Sequence, residues 1–68
     1  KPQFEARRDE IKKGGIVRET TVHKRVVEEI SKTASTLGLR TVSATPSPIL
    51  GAAGNREFFL HLRADLVP

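Results

Sequence analysis

The sequence predicts an α/β fold, because one segment has the period of an amphipathic helix, a second is rich in β-branched residues and a third has the period of a β-strand. Apolar residues recur at helical spacing across residues 20–37, and β-branched residues are frequent in residues 39–45. Residues 57–63 alternate apolar and polar side chains, which is typical of a strand. A helix that leads directly into a strand fits layered α/β packing. Successive strands joined by a loop pair antiparallel most easily, so we expect the two strands to be antiparallel neighbours.

The composition is poor for an independent hydrophobic core. The chain has 68 residues, three phenylalanines and no cysteine, tryptophan, tyrosine or methionine. A chain this short buries only roughly 60% of its unfolded surface, and small domains usually add disulfides, metals or dense helix packing. Two histidines without any cysteine form no recognisable metal pattern. We therefore expect residues 1–68 to be one portion of a larger domain, or a chain that associates.

The net charge is +4, from 12 basic and 8 acidic residues, which favours anionic partners such as RNA. No run of 18 or more apolar residues occurs, so we expect no membrane-spanning segment. The sequence also shows no signal-peptide pattern, and the expected compartment is the cytoplasm.

The first part of the chain is predicted to be irregular. Residues 1–4 are interpreted as the remnant of a strand that ends near Lys1, and the charged residues 5–13 as a loop or one helical turn. The segment Lys12-Lys13-Gly14-Gly15 then breaks regular structure. It could bind a phosphate through backbone N–H groups and lysine charge, or it could be a plain mobile loop. The residue order of a P-loop is absent.

An apolar stripe defines the helix. Its members are Val22, Val26, Ile30, Ala34 and Leu37, with Val27 widening it. Thr20 or Thr21 is expected to be the N-cap, and Gly38 is expected to end the helix in a left-handed conformation. His23 lies off the stripe and is expected to be an exposed polar residue.

A loop that cannot be helical separates the two strands, because Pro46 and Pro48 fix φ and lack N–H groups. Residues 51–54 are rich in glycine but precede a strand, whereas dinucleotide loops precede a helix, so a flexible connection is expected. Glu57 is unusual, because it is a carboxylate at the start of an apolar strand. It is either a solvated strand end or a group directed into a site at the rim of the sheet. In the second case Lys1 and Glu57 would share one edge.

Three motifs follow one another along the chain. They are Lys1-Pro2-Gln3-Phe4-Glu5, Lys13-Gly14-Gly15-Ile16-Val17-Arg18, and the run from Ser47 to Gly51 followed by Gly54 to Arg63. Together they resemble the TlyA family, also called hemolysin A, within the FtsJ-like rRNA 2′-O-methyltransferases. One departure is Glu19-Thr20, where the family commonly has Asp-Pro. The resemblance implies the C-terminal part of a Rossmann-like methyltransferase domain, which in the family follows an S4-type RNA-binding domain.

The resemblance also implies catalytic residues. The family uses a Lys-Asp-Lys-Glu tetrad and S-adenosylmethionine, without a metal, to methylate a ribose 2′-hydroxyl of rRNA. Lys1 matches the second lysine and Glu57 the glutamate, and a lysine with a lowered pKa can act as the base. The other two tetrad members and the cofactor loop have no counterpart here. We therefore expect this chain alone to bind no cofactor and to be inactive.

The partners implied for the parent protein are rRNA or ribosomal subunits. The candidate RNA-contacting cations are Lys12, Lys13, Arg18 and Arg56. In the family's sheet order, the last strand lies between the strand that ends at Lys1 and the strand at residues 39–45. Strand 57–63 would then have one open edge here, so we expect this chain to self-associate through it.

Two other functions are considered. A non-enzymatic RNA- or protein-binding module is favoured by the charge, although the chain lacks a set of stacking aromatic residues. A membrane-lytic protein is suggested only by the family's name, and the narrow apolar stripe without tryptophan or phenylalanine anchors suits a membrane surface poorly.

Overall fold

The computed structural model describes residues 1–64, so residues 65–68 of the predicted domain portion lie outside the described residues. The helices are α1, Pro2–Glu5, and α2, Thr20–Thr36, and the strands are β1, Leu39–Pro46, and β2, Phe58–Ala64. Short 3-10 turns occupy Arg8–Glu10 and Ala52–Gly54. β1 and β2 pair antiparallel, which confirms the predicted class and pairing.

α2 begins and ends within one residue of the predicted bounds. Its N-cap is Glu19 rather than a threonine, and no side chain caps the first turn. Gly38 follows the C-cap with φ +80°, a left-handed conformation that glycine adopts without strain. Leu37 is 73% exposed, so its assignment to the buried stripe was wrong. As the C-cap it lies beyond the last helical residue, where the helical period no longer orients it.

The first four residues contain no strand, so the prediction of a strand remnant there was wrong. Lys1 is the N-cap of α1 and Pro2 begins the helical turn. Proline suits this position because the first helical N–H needs no intrahelical partner and the ring fixes a helical φ. Pro2 is buried, and α1 packs against α2.

The hydrophobic core lies between α2 and the segment that precedes it. Its buried members are Val17, Val22 and Val26, with Ala6, Ile11 and Ile30 packed around them. Val17 comes from the turn after the two glycines, so this irregular segment covers part of the helix stripe. The apolar stripe of α2 is therefore covered partly by the segment that precedes α2 and partly by the sheet.

An ion-pair network joins the 3-10 turn at Arg8–Glu10 to α2. The guanidinium of Arg25 donates to Glu29, with Nη1 2.6 Å from Oε1, and also to Glu10. Glu10 in turn accepts a hydrogen bond from the backbone N–H of Arg7, at 2.8 Å. The hydrogen bond to Glu29 and the charge of Glu10 hold the pKa of Arg25 above its usual value.

β2 places its side chains alternately on two faces, as predicted. Phe58, Leu60 and Leu62 are half-buried, while Phe59, His61 and Arg63 are exposed. The pairing with β1 shifts register between Thr41 and Ser43, where β1 bulges. Within residues 1–64, β2 pairs with β1 alone, so its other side is an edge of the sheet.

We propose that the isolated chain self-associates by pairing the edge of β2 with the same edge of a second copy. An unpaired strand edge is a template for another strand, and a two-fold dimer is the simplest closed assembly. Sedimentation at tens of micromolar should detect the dimer. Phe59→Lys should weaken it, because Phe59 is a 64% exposed apolar residue on β2. Phe4→Lys, at a 74% exposed position of α1, is the matched control. A strictly monomeric chain with slowly exchanging amides along both edges of β2 would contradict the proposal.

Candidate functional site

The candidate site lies where α1 meets the end of the loop that precedes β2. Glu57 is half-buried and comes immediately before β2, so the residue predicted to begin this strand lies one position outside the observed one. The side-chain amide of Gln3 in α1 donates from Nε2 to Oε2 of Glu57 at 2.9 Å. The carboxylate is therefore held by another element, which favours an oriented group over a freely solvated strand end.

Gly51 provides the space that this carboxylate occupies. A Cβ on Gly51 would overlap Oε2 and Cδ of Glu57 and would lie 3.0 Å from Cγ. The φ of Gly51 is −86°, which any residue can adopt, so close approach rather than backbone conformation requires glycine here. The loop expected to be a flexible connection is a hydrogen-bonded turn, in which the N–H of Gly51 donates to the carbonyl of Asn55 at 2.7 Å.

Asn55 joins this turn to the segment that precedes α2. Its side chain is 2% exposed, and its Oδ1 accepts from the N–H of Val17 at 2.8 Å. Its Nδ2 donates to the carbonyls of Gly15 and Ala52, at 2.9 Å each. The sequence indicates Asn55 only as a member of a motif, and this hydrogen-bonding role was not predicted. The available signal was an asparagine after glycine, since asparagine often binds backbone groups in turns.

The start of the loop is bound to its end. The backbone N–H of Ser47 donates to the carbonyl of Glu57 at 2.8 Å. The Nη1 of Arg56 donates to the carbonyl of Ser47 at 2.7 Å. Together with Asn55, these bonds fix the backbone on both sides of the Glu57 carboxylate.

Lys1 and Glu57 do not form an ion pair in the described part of the chain. Lys1 is exposed, and its Nζ lies 5.6 Å from the centroid of the Phe4 ring in a cation–π contact. Its link to Glu57 runs through α1, since Gln3 on the same helical turn makes the direct contact. Gln3, two residues after Lys1, is thus the residue of this turn that contacts Glu57.

The four candidate RNA-contacting cations divide into two groups. Arg18 and Arg56 line one open cleft of about 460 Å³. Lys12 instead pairs with Glu19, with Nζ 3.6 Å from Oε1, and Lys13 is exposed on the neighbouring turn. Neither lysine lines the cleft.

His23 lines the same cleft and is not the exposed residue that the sequence predicted. It is half-buried, and its Nε2 donates to the carbonyl of Val17 at 2.8 Å. Its ring meets that of Phe58 edge-on at a centroid distance of 5.4 Å. Val17 precedes the helix and Phe58 is remote in sequence, so helical spacing alone could not indicate either contact.

The chain matches a family model described as FtsJ-like methyltransferase over residues 1–64. It is 39% identical over 61 residues to Hemolysin A of Brachyspira hyodysenteriae, covering 90% of this chain and 25% of that protein. It is 38% identical over 65 residues to the 16S/23S rRNA (cytidine-2′-O)-methyltransferase TlyA of Mycobacterium tuberculosis, covering 96% of this chain and 24% of that protein. The chain thus spans about a quarter of the length of these curated relatives.

Solved structures show the same architecture. A crystal structure from Lactococcus lactis, described as that of a candidate hemolysin, matches with a TM-score of 0.88 and 48% identity. The match covers 96% of this chain and 31% of that one. These similarities confirm the resemblance that the three motifs carry.

We expect Gly51→Ala to displace the Glu57 carboxylate while changing the melting temperature little. The new Cβ overlaps the end of a flexible side chain, which can move aside without moving the backbone. The side-chain amide resonances of Gln3 should shift in an NMR spectrum of the variant.

Gly38→Ala is the contrasting control. At Gly38 a Cβ meets no atom within 4 Å, but φ is +80°. This variant should lose about 1–2 kcal/mol of stability through left-handed strain and leave the Gln3 resonances in place. Unchanged Gln3 resonances in Gly51→Ala would contradict the proposed role of the glycine.

Proposed function

Because this chain belongs to the FtsJ-like methyltransferase family, we propose that it is part of an enzyme that methylates ribose 2′-hydroxyls of rRNA with S-adenosylmethionine. The observation that carries the proposal is the half-buried Glu57 carboxylate, held by Gln3 at the position that the family motif assigns to a catalytic glutamate. The name of the mycobacterial relative, an rRNA (cytidine-2′-O)-methyltransferase, supports the choice of substrate.

In this proposal Lys1 and Glu57 act on the ribose hydroxyl. A hydroxyl is a poor nucleophile, so a positioned base that accepts its proton increases its reactivity. The amine of Lys1 takes that proton, and the carboxylate of Glu57 orients the amine and stabilises the ammonium that forms. Lys1 is exposed at the N-terminus of α1, and its long side chain can turn without a change in the backbone.

The described residues do not fit a site for S-adenosylmethionine, so we assign its binding to other parts of the parent protein. The turn that contains Gly51 and Gly54 leads into β2 and not into a helix, as a nucleotide-binding loop would. The side chain of Asn55 already binds the carbonyls of Ala52 and Gly15 in the two glycine-containing turns. In this proposal residues 1–64 supply groups for the acceptor hydroxyl, and the methyl donor binds elsewhere in the parent protein.

We further propose that Lys12, Lys13, Arg18 and Arg56 contact the RNA backbone. Arg18 and Arg56 are the strongest pair, because they share one cleft. One N–H of Arg56 is used by the carbonyl of Ser47, which fixes the guanidinium and leaves other donors for a phosphate. The partner is then rRNA or a ribosomal subunit, which implies that the parent protein acts in the cytoplasm.

A membrane-lytic function, which the names of two relatives suggest, would need an apolar face that is free to contact a bilayer. Among residues 1–64, no helix has the length and apolar character needed to cross a bilayer. The stripe of α2 is used in packing, since Val22 and Val26 are buried against Val17. A non-enzymatic RNA-binding module would use the same basic cleft but would not depend on Glu57.

Lys1→Ala and Glu57→Ala, made in the full-length protein, should each lower methyl transfer by about 100- to 10,000-fold, the usual contribution of a positioned acid or base. Affinity for S-adenosylmethionine should stay unchanged, because neither residue is assigned to the cofactor. Single-turnover methylation and calorimetry measure the two quantities. Glu5→Ala, which removes an exposed carboxylate from α1, is the matched control. Near-normal methylation by either site variant would remove its catalytic role.

The isolated chain of 68 residues should neither bind S-adenosylmethionine nor methylate RNA. The reason is that its described residues form no site for the methyl donor. Calorimetric titration of the chain with the cofactor tests this, and saturable binding at low micromolar concentration would refute it.

A further inference from the structure

We infer that Gln3 is a positioning residue for the Glu57 carboxylate, an inference that rests on the proposed function. Gln3 is half-buried on α1 and lies 54 residues from Glu57 in sequence, yet its Nε2 is 2.9 Å from Oε2 of Glu57. In the described part of the chain, no other side chain donates a hydrogen bond to this carboxylate.

The direction of the bond fixes the orientation of the amide. An ionised carboxylate only accepts hydrogen bonds, so the NH₂ end of Gln3 must face Glu57 and the Oε1 end must face away. Oε1 is buried and has no hydrogen-bond partner among the described residues. The bond to Glu57 is therefore the contact that orients Gln3, and each side chain determines the position of the other.

Gly51 confines the carboxylate from a second direction. A side chain at Gly51 would overlap Oε2, the oxygen that accepts from Gln3. The amide of Gln3 thus binds the carboxylate on one side, and the backbone of Gly51, which has no side chain, lies against it on another. A group that acts by orienting another group depends on such confinement, since a displacement of about 1 Å can cost roughly 100-fold in rate.

Gln3 does not act on the substrate itself in this inference. A neutral amide neither gives nor takes a proton under ordinary conditions, and the contact that the structure contains is with Glu57. Gln3 thereby connects the helical turn that carries Lys1 to the carboxylate that orients it. The two proposed catalytic residues, which do not touch, are coupled through this amide.

The test uses the full-length protein with Gln3→Leu and Gln3→Glu. Because Oε1 makes no hydrogen bond in the described chain, Gln3→Leu removes one polar contact and keeps much of the side-chain volume. It should lower kcat about 10- to 100-fold while KM for RNA and cofactor affinity stay unchanged. Gln3→Glu should lower kcat further, because it places one carboxylate against another. Glu5→Ala, on the exposed side of α1, is the control and should keep normal kcat.

The exchange of the two side chains, Gln3→Glu with Glu57→Gln, separates positioning from stability. It restores one amide–carboxylate hydrogen bond in the reverse direction, so the melting temperature lost in Gln3→Glu should return. Turnover should not return, because the carboxylate is then in the wrong place. Recovery of both would show that the contact is structural only and would overturn the inference.

The two levels of the proposal fail in different ways. If the wild-type protein methylates no rRNA ribose, the proposed function fails and the inference fails with it. If the wild-type protein is active and Gln3→Leu has the same kcat as the wild type, only the positioning role of Gln3 is overturned.

Discussion

The buried side chain of Asn55 is the contact on which the arrangement of the candidate site depends. Its amide binds backbone groups of Val17 and Gly15 on one side and of Ala52 on the other. Without it, the N–H of the buried residue Val17 would stay unpaired, which costs about 1–3 kcal/mol. A total stability of about 5–15 kcal/mol is usual for a domain, so this one residue accounts for a considerable share of what a small chain has.

The hydrogen bonds of Asn55 also affect the candidate site, because Arg56 and Glu57 follow Asn55 directly in the chain. Asn55 holds the turn in place, and the N–H of Ser47 binds the carbonyl of Glu57 just before β2. Gly51 leaves room for the Glu57 carboxylate. Small and polar residues are therefore needed at these loop positions for different physical reasons. The loop is ordered by hydrogen bonds rather than by apolar packing, which agrees with a chain that has few large apolar side chains.

Most of the regular structure could be predicted from the sequence, because the periods of α2 and β2 and the β-branched residues of β1 are local features. Their ends fall within one residue of the predicted ones, and the pairing of β1 with β2 follows because they are successive strands joined by one loop. The first residues were misjudged because four residues carry no period, and Pro2 suits a helix start as well as a strand end. The roles of Gln3 and Asn55, and the ring contact of His23 with Phe58, depend on partners remote in sequence, so no local pattern could indicate them. The resemblance pointed to Glu57, but it did not indicate what holds the carboxylate.

The sequence separations of these bonds have a consequence for how the protein forms. The contacts of Asn55 with Val17 and Gly15 close loops of 38 and 40 residues, and that of Gln3 with Glu57 closes one of 54. Closing a long loop costs chain entropy before any contact compensates it, whereas α2 and the β1–β2 hairpin are built from nearer neighbours. The helix and hairpin should therefore form early in folding and the candidate site late. For the same reason, we expect the amide hydrogens of the candidate site to exchange through local openings that cost less free energy than the opening of α2 or of the hairpin.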